Sequence, residues 1–324
     1  MRTLRINLDA IVHNLDVMRA RANGAKVMGV VKANAYGHGA IPVAKTLERA
    51  GVDYLGVADV REALELRDGG IQSPILAWLH DPADNFETAL TANIDLCVAN
   101  LGQLQRIAKA AAVTSVTAKL HLKIDTGLGR NGSTEADWTE LLEAVQALGE
   151  SVSVIGIFSH LSTTSHVEDL AQIKKFDSAV AEVKRIGLTF EFRHLTASDG
   201  SLAYPEAHYE MVRIGAALYG LDPFSTNRSA EFGLIPAMTA VSRVAQVKTV
   251  RRVTGLAITS CTEPKRKPGS HLFQLAMPKV YLGQPRVRQR FRYPVSAMQS
   301  SRKLPWTSLC SMLETTQYRL AMRL

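Results

Sequence analysis

Lys32 is the residue of this chain best placed for covalent chemistry. It follows the run VMGVV and precedes ANAYGHG. A lysine at a strand end often only carries its ammonium out to solvent on an apolar stem. Here five apolar or small residues lead up to it, and desolvation in such a place lowers an amine's pKa toward the free base that forms a Schiff base. Asn34, Tyr36, Gly37, His38 and Gly39 then make a polar, tightly turning loop suited to a phosphate. Four further segments put polar groups beside apolar runs. KIDTGLGRNG, from Lys123 to Gly132, reads equally well as a strand-to-loop turn or as a site loop. GIFSHLST carries His160, FRHLTAS carries His194 and Ser198, and MVRIGAALYG carries Arg213, Gly215 and Ala216. A lone histidine after a strand serves structure as readily as catalysis.

These residues share a position with respect to the elements around them. Eight β-rich runs are expected at Lys26–Val31, Tyr54–Val57, Pro74–Trp78, Ile94–Val98, Ala118–Ile124, Val152–Phe158, Phe190–Leu195 and Met211–Leu218. Amphipathic helical patterns lie between them, at Ala40–Ala50, Arg61–Asp68, Gly102–Ala112, Trp138–Ala147 and Asp169–Ile186. Eight strands with helical crossovers in about 200 residues predict an α/β fold of the (β/α)8 TIM-barrel type. An open doubly wound sheet is the alternative, but no G-x-G-x-x-G follows an early strand. In a barrel, reactive groups gather at the C-terminal ends of strands, and that is where unusual residues such as Lys32 and His160 fall.

VVKANAYGHG resembles the cofactor-lysine signature of alanine racemases, and KIDTGLGRNG resembles that family's second signature. The resemblance runs from residue 1 to about residue 256. It implies that Lys32 forms a Schiff base with pyridoxal 5'-phosphate and that Tyr36 contacts the phosphate. It implies that Arg130 contacts the cofactor's phenolic oxygen and the substrate carboxylate, and that Lys123 is a carbamylated lysine holding that arginine. A carbamate turns a cation into an anion, so it can pair with Arg130 where an ammonium would repel it. His160 is expected beside the ring arginine, His194 behind it, and Ser198 at the phosphate with the N–H groups of Gly215 and Ala216. Arg213 is expected to face the pyridine nitrogen. A guanidinium does not release its proton there, so the ring stays a weaker electron sink, which suits a reaction that must return the α-proton. Ala197 departs from the pattern, since the family usually has Asn before that serine. The implied activity is interconversion of L- and D-alanine for cell-wall D-alanine supply, by a homodimer acting on a small substrate.

Three alternatives share parts of this pattern. A pyridoxal-phosphate homeostasis protein has a related barrel but would need neither KIDTGLGRNG nor the β-like pattern of Val, Ala and Thr at 231–249. A basic amino-acid decarboxylase would place an acidic group where Arg213 stands. A non-enzymatic pyridoxal-phosphate binder could retain Lys32 without turnover.

The chain divides by composition as well. Of its 324 residues, 258–324 carry 12 Lys+Arg against 2 Asp+Glu, leaving 26 against 28 and a net of −2 for 1–257. The overall +8 therefore belongs to the tail and gives the barrel no nucleic-acid partner. No apolar run approaches the roughly 18 residues of a membrane span. Cys97, Cys261 and Cys310 have neither metal nor disulfide spacing, which suits a reducing cytoplasm. We expect the barrel over residues 1–228, the start of a β-domain over 229–257, and an irregular tail over 258–324 that shows neither strand nor helix periodicity. The tail reads as a frameshift. Codons permitted by Leu272–Gly283, offset to the third base of each, spell VPVGYAEGIPR, and those of Arg302–Glu314 permit EVAMDQFVFDVG. Both contain segments that the family carries in its β-domain, VPxGYAxG and MDQ. The tyrosine of the first, the family's second catalytic residue, straddles Ala276 and Met277 and is absent from the chain as it stands.

Overall fold

A computed structural model describes residues 2–81, 83–224 and 229–242, together with the strand backbones of 246–249 and 271–274. Two compact units are distinguished, one containing Asn7–Ala237 and one containing Arg2–Ile6 with the strands from Met238 onward. In the second unit, β1 (Arg2–Ile6) pairs antiparallel with a later strand, Met238–Ser242, in the register Arg2↔Ser242 to Ile6↔Met238. Gln246–Thr249 pairs antiparallel with His271–Gln274. Those last four residues are the described part of the tail, and the rest of the expectation for 258–324 lies outside the described residues.

The first unit holds eight parallel strands, each where an apolar run predicts one: β2 (Lys26–Val30), β3 (Tyr54–Val57), β4 (Ile75–Ala77), β5 (Asp95–Val98), β6 (Ala118–Lys123), β7 (Val152–Phe158), β8 (Phe192–His194) and β9 (Met211–Ile214). Their order, β8-β7-β6-β5-β4-β3-β2-β9, is that of a nearly closed (β/α)8 barrel. Helices cover the strands because their apolar faces pack outside the sheet, and side-chain caps start many of them. Asn7, Asp59, Asn85, Asn100, Thr134 and Ser165 each accept an N–H from the first turn of the helix that follows. Asn7 thereby turns Leu8–Arg21, a stretch that alternates polar and apolar residues, into a helix. Met28, Tyr54, Leu76 and Met211 form a small cluster of their own, with Trp78 and Phe192 packed against it.

The ladder does not close between β8 and β9, and polar groups join these strands instead. Arg213 N–H donates to Thr196 O at 3.0 Å. The Arg193 Nε donates to Glu210 Oε2 at 2.9 Å, and the same carboxylate oxygen accepts the Arg193 N–H at 2.8 Å. The Arg213 side chain reaches back across the seam to the carbonyls of His194 and Leu195, at 2.6 and 2.9 Å.

Candidate active site

Lys32 stands two residues past β2, whose neighbour β9 carries Arg213 in the register Met28↔Arg213. The expected tight loop after Lys32 takes an unusual form. Ala33, Asn34, Ala35 and Tyr36 all adopt left-handed backbone angles, with φ between 51° and 55°. Such a conformation costs roughly 1–2 kcal/mol per non-glycine residue, so the surroundings must enforce it. Two side chains do so. The Glu62 carboxylate accepts Ala33 N–H at 2.6 Å with one oxygen and Ala58 N–H at 2.8 Å with the other. Asn34 Oδ1 accepts Ala40 N–H at 2.7 Å. Burial pushes Glu62 above the usual carboxylate range, partly offset by these two backbone bonds. The Lys32 ammonium lies 5.9 Å from the Tyr36 ring centroid.

The turn delivers Tyr36 to Gly215. The Tyr36 ring packs against Tyr219 at 4.9 Å between centroids, and Tyr219 donates its hydroxyl to Val30 O at 2.9 Å. Beside them Ser198 Oγ accepts the N–H groups of Gly215 and Ala217, at 3.0 and 3.2 Å, leaving its own proton to donate elsewhere. The expectation named Gly215 and Ala216 as phosphate donors, and here the Gly215 N–H is engaged by Ser198. Hydroxyls, clustered backbone donors and a missing side chain at residue 215 form a cradle that fits a phosphate.

Arg213 is 5% exposed and makes bonds on two sides. One terminal nitrogen donates to His194 Nδ1 at 3.1 Å as well as to the His194 carbonyl. The other donates to Ser159 O at 2.7 Å, Leu195 O at 2.9 Å and His160 Nδ1 at 3.1 Å. Burial lowers its pKa to about 9, so it remains a cation at neutral pH. Burial first, then the charge of Arg213, holds both His160 and His194 well below the ordinary histidine value. His194 also stacks on Phe158 at 4.6 Å, and the Lys123 ammonium sits 5.3 Å from the same ring.

Lys123 is buried at the end of β6, where loss of solvent, with repulsion from Arg213 and Arg130, brings its pKa down to about 8. Arg130 is exposed on the loop that follows, which is closed by Asp125 N–H to Ser133 O at 2.9 Å and Ser133 N–H to Lys123 O at 2.8 Å. Asp125 Oδ1 accepts the N–H groups of Gly127 and Gly129 inside it. Ala197 precedes the helix Ser198–Ala203 and gives it no side-chain cap.

The sequence reading missed Glu62, Asp95 and His121. Glu62 lies in a helix and gave no motif signal. Asp95 and His121 were visible as a carboxylate and an imidazole inside the otherwise apolar strands DLCV and AKLHLK.

The alanine racemase N-terminal domain model matches residues 6–223. The alanine racemase of Salinispora tropica is 42% identical over 260 residues, covering 78% of this chain and 68% of that one. That of Mycobacterium tuberculosis is 41% identical over 257 residues, covering 78% and 66%. Among solved structures, the alanine racemase from D-cycloserine-producing Streptomyces lavendulae superposes with a TM-score of 0.76 at 38% identity, over 81% of this chain and 70% of that one. The enzyme of Streptomyces coelicolor A3(2) gives 0.76 at 36%, over 81% and 71%. The chain thus spans about two thirds of the length of these relatives, and with this barrel, this site and these matches it belongs to the alanine racemase family.

Proposed function

We propose that the chain binds pyridoxal 5'-phosphate through Lys32 and acts on alanine, interconverting its L and D forms. The observation that carries this reading is the convergence of Lys32, the Tyr36–Ser198–Gly215 cradle and buried Arg213 at the C-terminal ends of β2, β8 and β9. Family membership supports the cofactor, because alanine racemases depend on pyridoxal phosphate. When bound, that group supplies an electron-withdrawing ring that stabilises the charge left when the α-proton departs.

The chain's residues account for the rest. The Lys32 amine anchors the cofactor and moves a proton to or from the substrate α-carbon on one face. Tyr36 and Ser198 hold the phosphate, with Ala216 lending a backbone N–H group, while the Gly215 N–H orients the Ser198 hydroxyl. Arg213 keeps its proton at neutral pH because its terminal nitrogens are committed to three carbonyls and two imidazoles. A ring nitrogen facing it therefore receives a hydrogen bond and no proton. His160 and His194, both neutral, fix the plane of the guanidinium. Arg130 orients the substrate carboxylate, steadied by Lys123 as a carbamate, a reaction that needs the free amine favoured by its lowered pKa.

Homodimerisation, a cytoplasmic location and a role in supplying D-alanine for peptidoglycan belong to the same proposal. Among the described residues no helix is long and apolar enough to cross a membrane. The frameshift reading predicts that the chain as it stands racemises poorly, since the tyrosine for the opposite face is absent. Borohydride reduction of the chain with pyridoxal phosphate, followed by peptide mapping, should place the label on Lys32. A label on another lysine would refute the assignment.

A further inference from the structure

A line of buried polar side chains runs through the barrel from Arg213, away from the substrate side. Arg213 donates to His194 Nδ1 at 3.1 Å. His194 Nε2 meets His121 Nδ1 at 2.9 Å. His121 Nε2 points at Asp95 Oδ2, 3.4 Å away, and Asp95 also accepts the Tyr54 hydroxyl. His121 and His194 are fully buried, and Asp95 is 2% exposed.

Only one arrangement of protons satisfies this line. A guanidinium can only donate, so His194 Nδ1 must be the acceptor and its proton must sit on Nε2. That proton is then given to His121 Nδ1, which forces the His121 proton onto Nε2, facing the carboxylate. Both hydrogen bonds point the same way, from the guanidinium through one imidazole to the next, and the second ring's Nε2 lies 3.4 Å from the Asp95 carboxylate. The backbone makes room for it. A Cβ at Gly156 would collide with His121 Nδ1 and lie 3.1 Å from His194 Nε2, and the β6–β7 register shifts between Leu120 and His121.

We propose that Asp95 and His121 are positioning residues for Arg213, acting through His194 along this directed hydrogen-bond chain. The carboxylate favours the same tautomers that the guanidinium requires, and so reinforces the acceptor turned toward Arg213. If the chain ran the other way, His194 would present an N–H to Arg213 and push it off. The inference rests on the reading that Arg213 faces the cofactor ring, but its test does not depend on that reading.

The test uses the full chain with nitrogen-15-labelled histidine, without and with pyridoxal phosphate. Without cofactor, both rings should carry their proton on Nε2. Asp95→Asn should move the His194 ring resonances toward the other tautomer, whereas Tyr54→Phe, which spares the carboxylate, should leave them in place. A proton on Nδ1 of either ring in the unsubstituted chain, or His194 resonances indifferent to Asp95→Asn, would overturn the proposal. With cofactor, Asp95→Asn should also shift the pH midpoint of the bound chromophore's absorption, and Tyr54→Phe should not. Equal behaviour of the two variants there would reduce the line to packing. A chain that shows the tautomer change but binds no cofactor would instead count against the functional reading above.

Discussion

The Tyr36 hydroxyl lies 2.5 Å from the place where a side chain at residue 215 would put its Cβ, so Gly215 is what lets Tyr36 enter the cradle proposed for the phosphate. The ring has little freedom to retreat, being packed against Tyr219 on one side. Gly215→Ala should therefore lower affinity for pyridoxal phosphate by at least about tenfold, equivalent to roughly 1.4 kcal/mol, while the chain still folds. Fluorescence titration with the cofactor, paired with circular dichroism, checks both halves. Unchanged affinity would remove Tyr36 from the cradle.

Lys123 makes stability depend on pH in a direction opposite to that of a paired lysine. Its folded pKa of about 8 lies below the value near 10.4 of an unfolded lysine. The burial penalty is thus fully present below pH about 8 and fades as pH rises through about 10.4. Lys123→Met should stabilise the chain at pH about 7, by at most on the order of 2–3 kcal/mol, and that advantage should vanish toward pH about 10. Added bicarbonate should raise the melting temperature of the parent and leave Lys123→Met unaffected, as expected of carbamate formation. A bicarbonate effect shared by both proteins would count against the carbamate.

Ala197 sits where a helix N-cap side chain is missing. Ala197→Asn should add about 1 kcal/mol to stability. Because the capped helix begins at Ser198, it should also tighten cofactor binding. Urea unfolding curves and the cofactor titration read the two effects separately, and a loss in both would show that the alanine is required.

Restoring the frame near residue 257, so that the chain reads VPVGYAEG, should raise D-alanine formation by at least about 10²–10⁴-fold, the usual contribution of a positioned acid–base group. Coupled assay of D-alanine from L-alanine compares the two proteins directly. Equal, robust turnover by both would show that residues 258–324 form a working domain and that the frameshift reading is wrong.

The barrel was legible because its strands are apolar runs closed by turn residues, and runs such as KVMGV and YLGV leave few other readings. The helix expected at Gly102–Ala112 begins one residue earlier, behind the cap Asn100, whereas the one expected at Asp169–Ile186 begins at His166, behind Ser165, because its first turn is largely polar and adds nothing to the apolar period. Phe86–Thr91 escaped notice because six residues are too few to show a period, although Asn85 and Glu87 carry its start signal. The left-handed turn at Ala33–Tyr36 was not legible at all. Nothing in the residue types there favours positive φ over four positions, and the conformation is imposed by Glu62, distant in sequence. The candidate lysine, arginines and histidines rest on local motifs. Asp95 and His121 make sense only once β3 to β8 are assembled in one sheet, a long-range arrangement no local motif encodes.

The open ladder between β8 and β9 gives the barrel a latch rather than a weld. Arg193–Glu210 fastens one end of it, and Arg213 with its carbonyl acceptors fastens the other. The group proposed to face the cofactor is therefore also one that keeps the cylinder shut. Breathing of the barrel should begin at this edge, where fewer backbone bonds must break. Any ligand that seats against Arg213 will slow that opening by mass action. Amide exchange at Arg193–Leu195 should accordingly report occupancy of the site from the barrel wall itself.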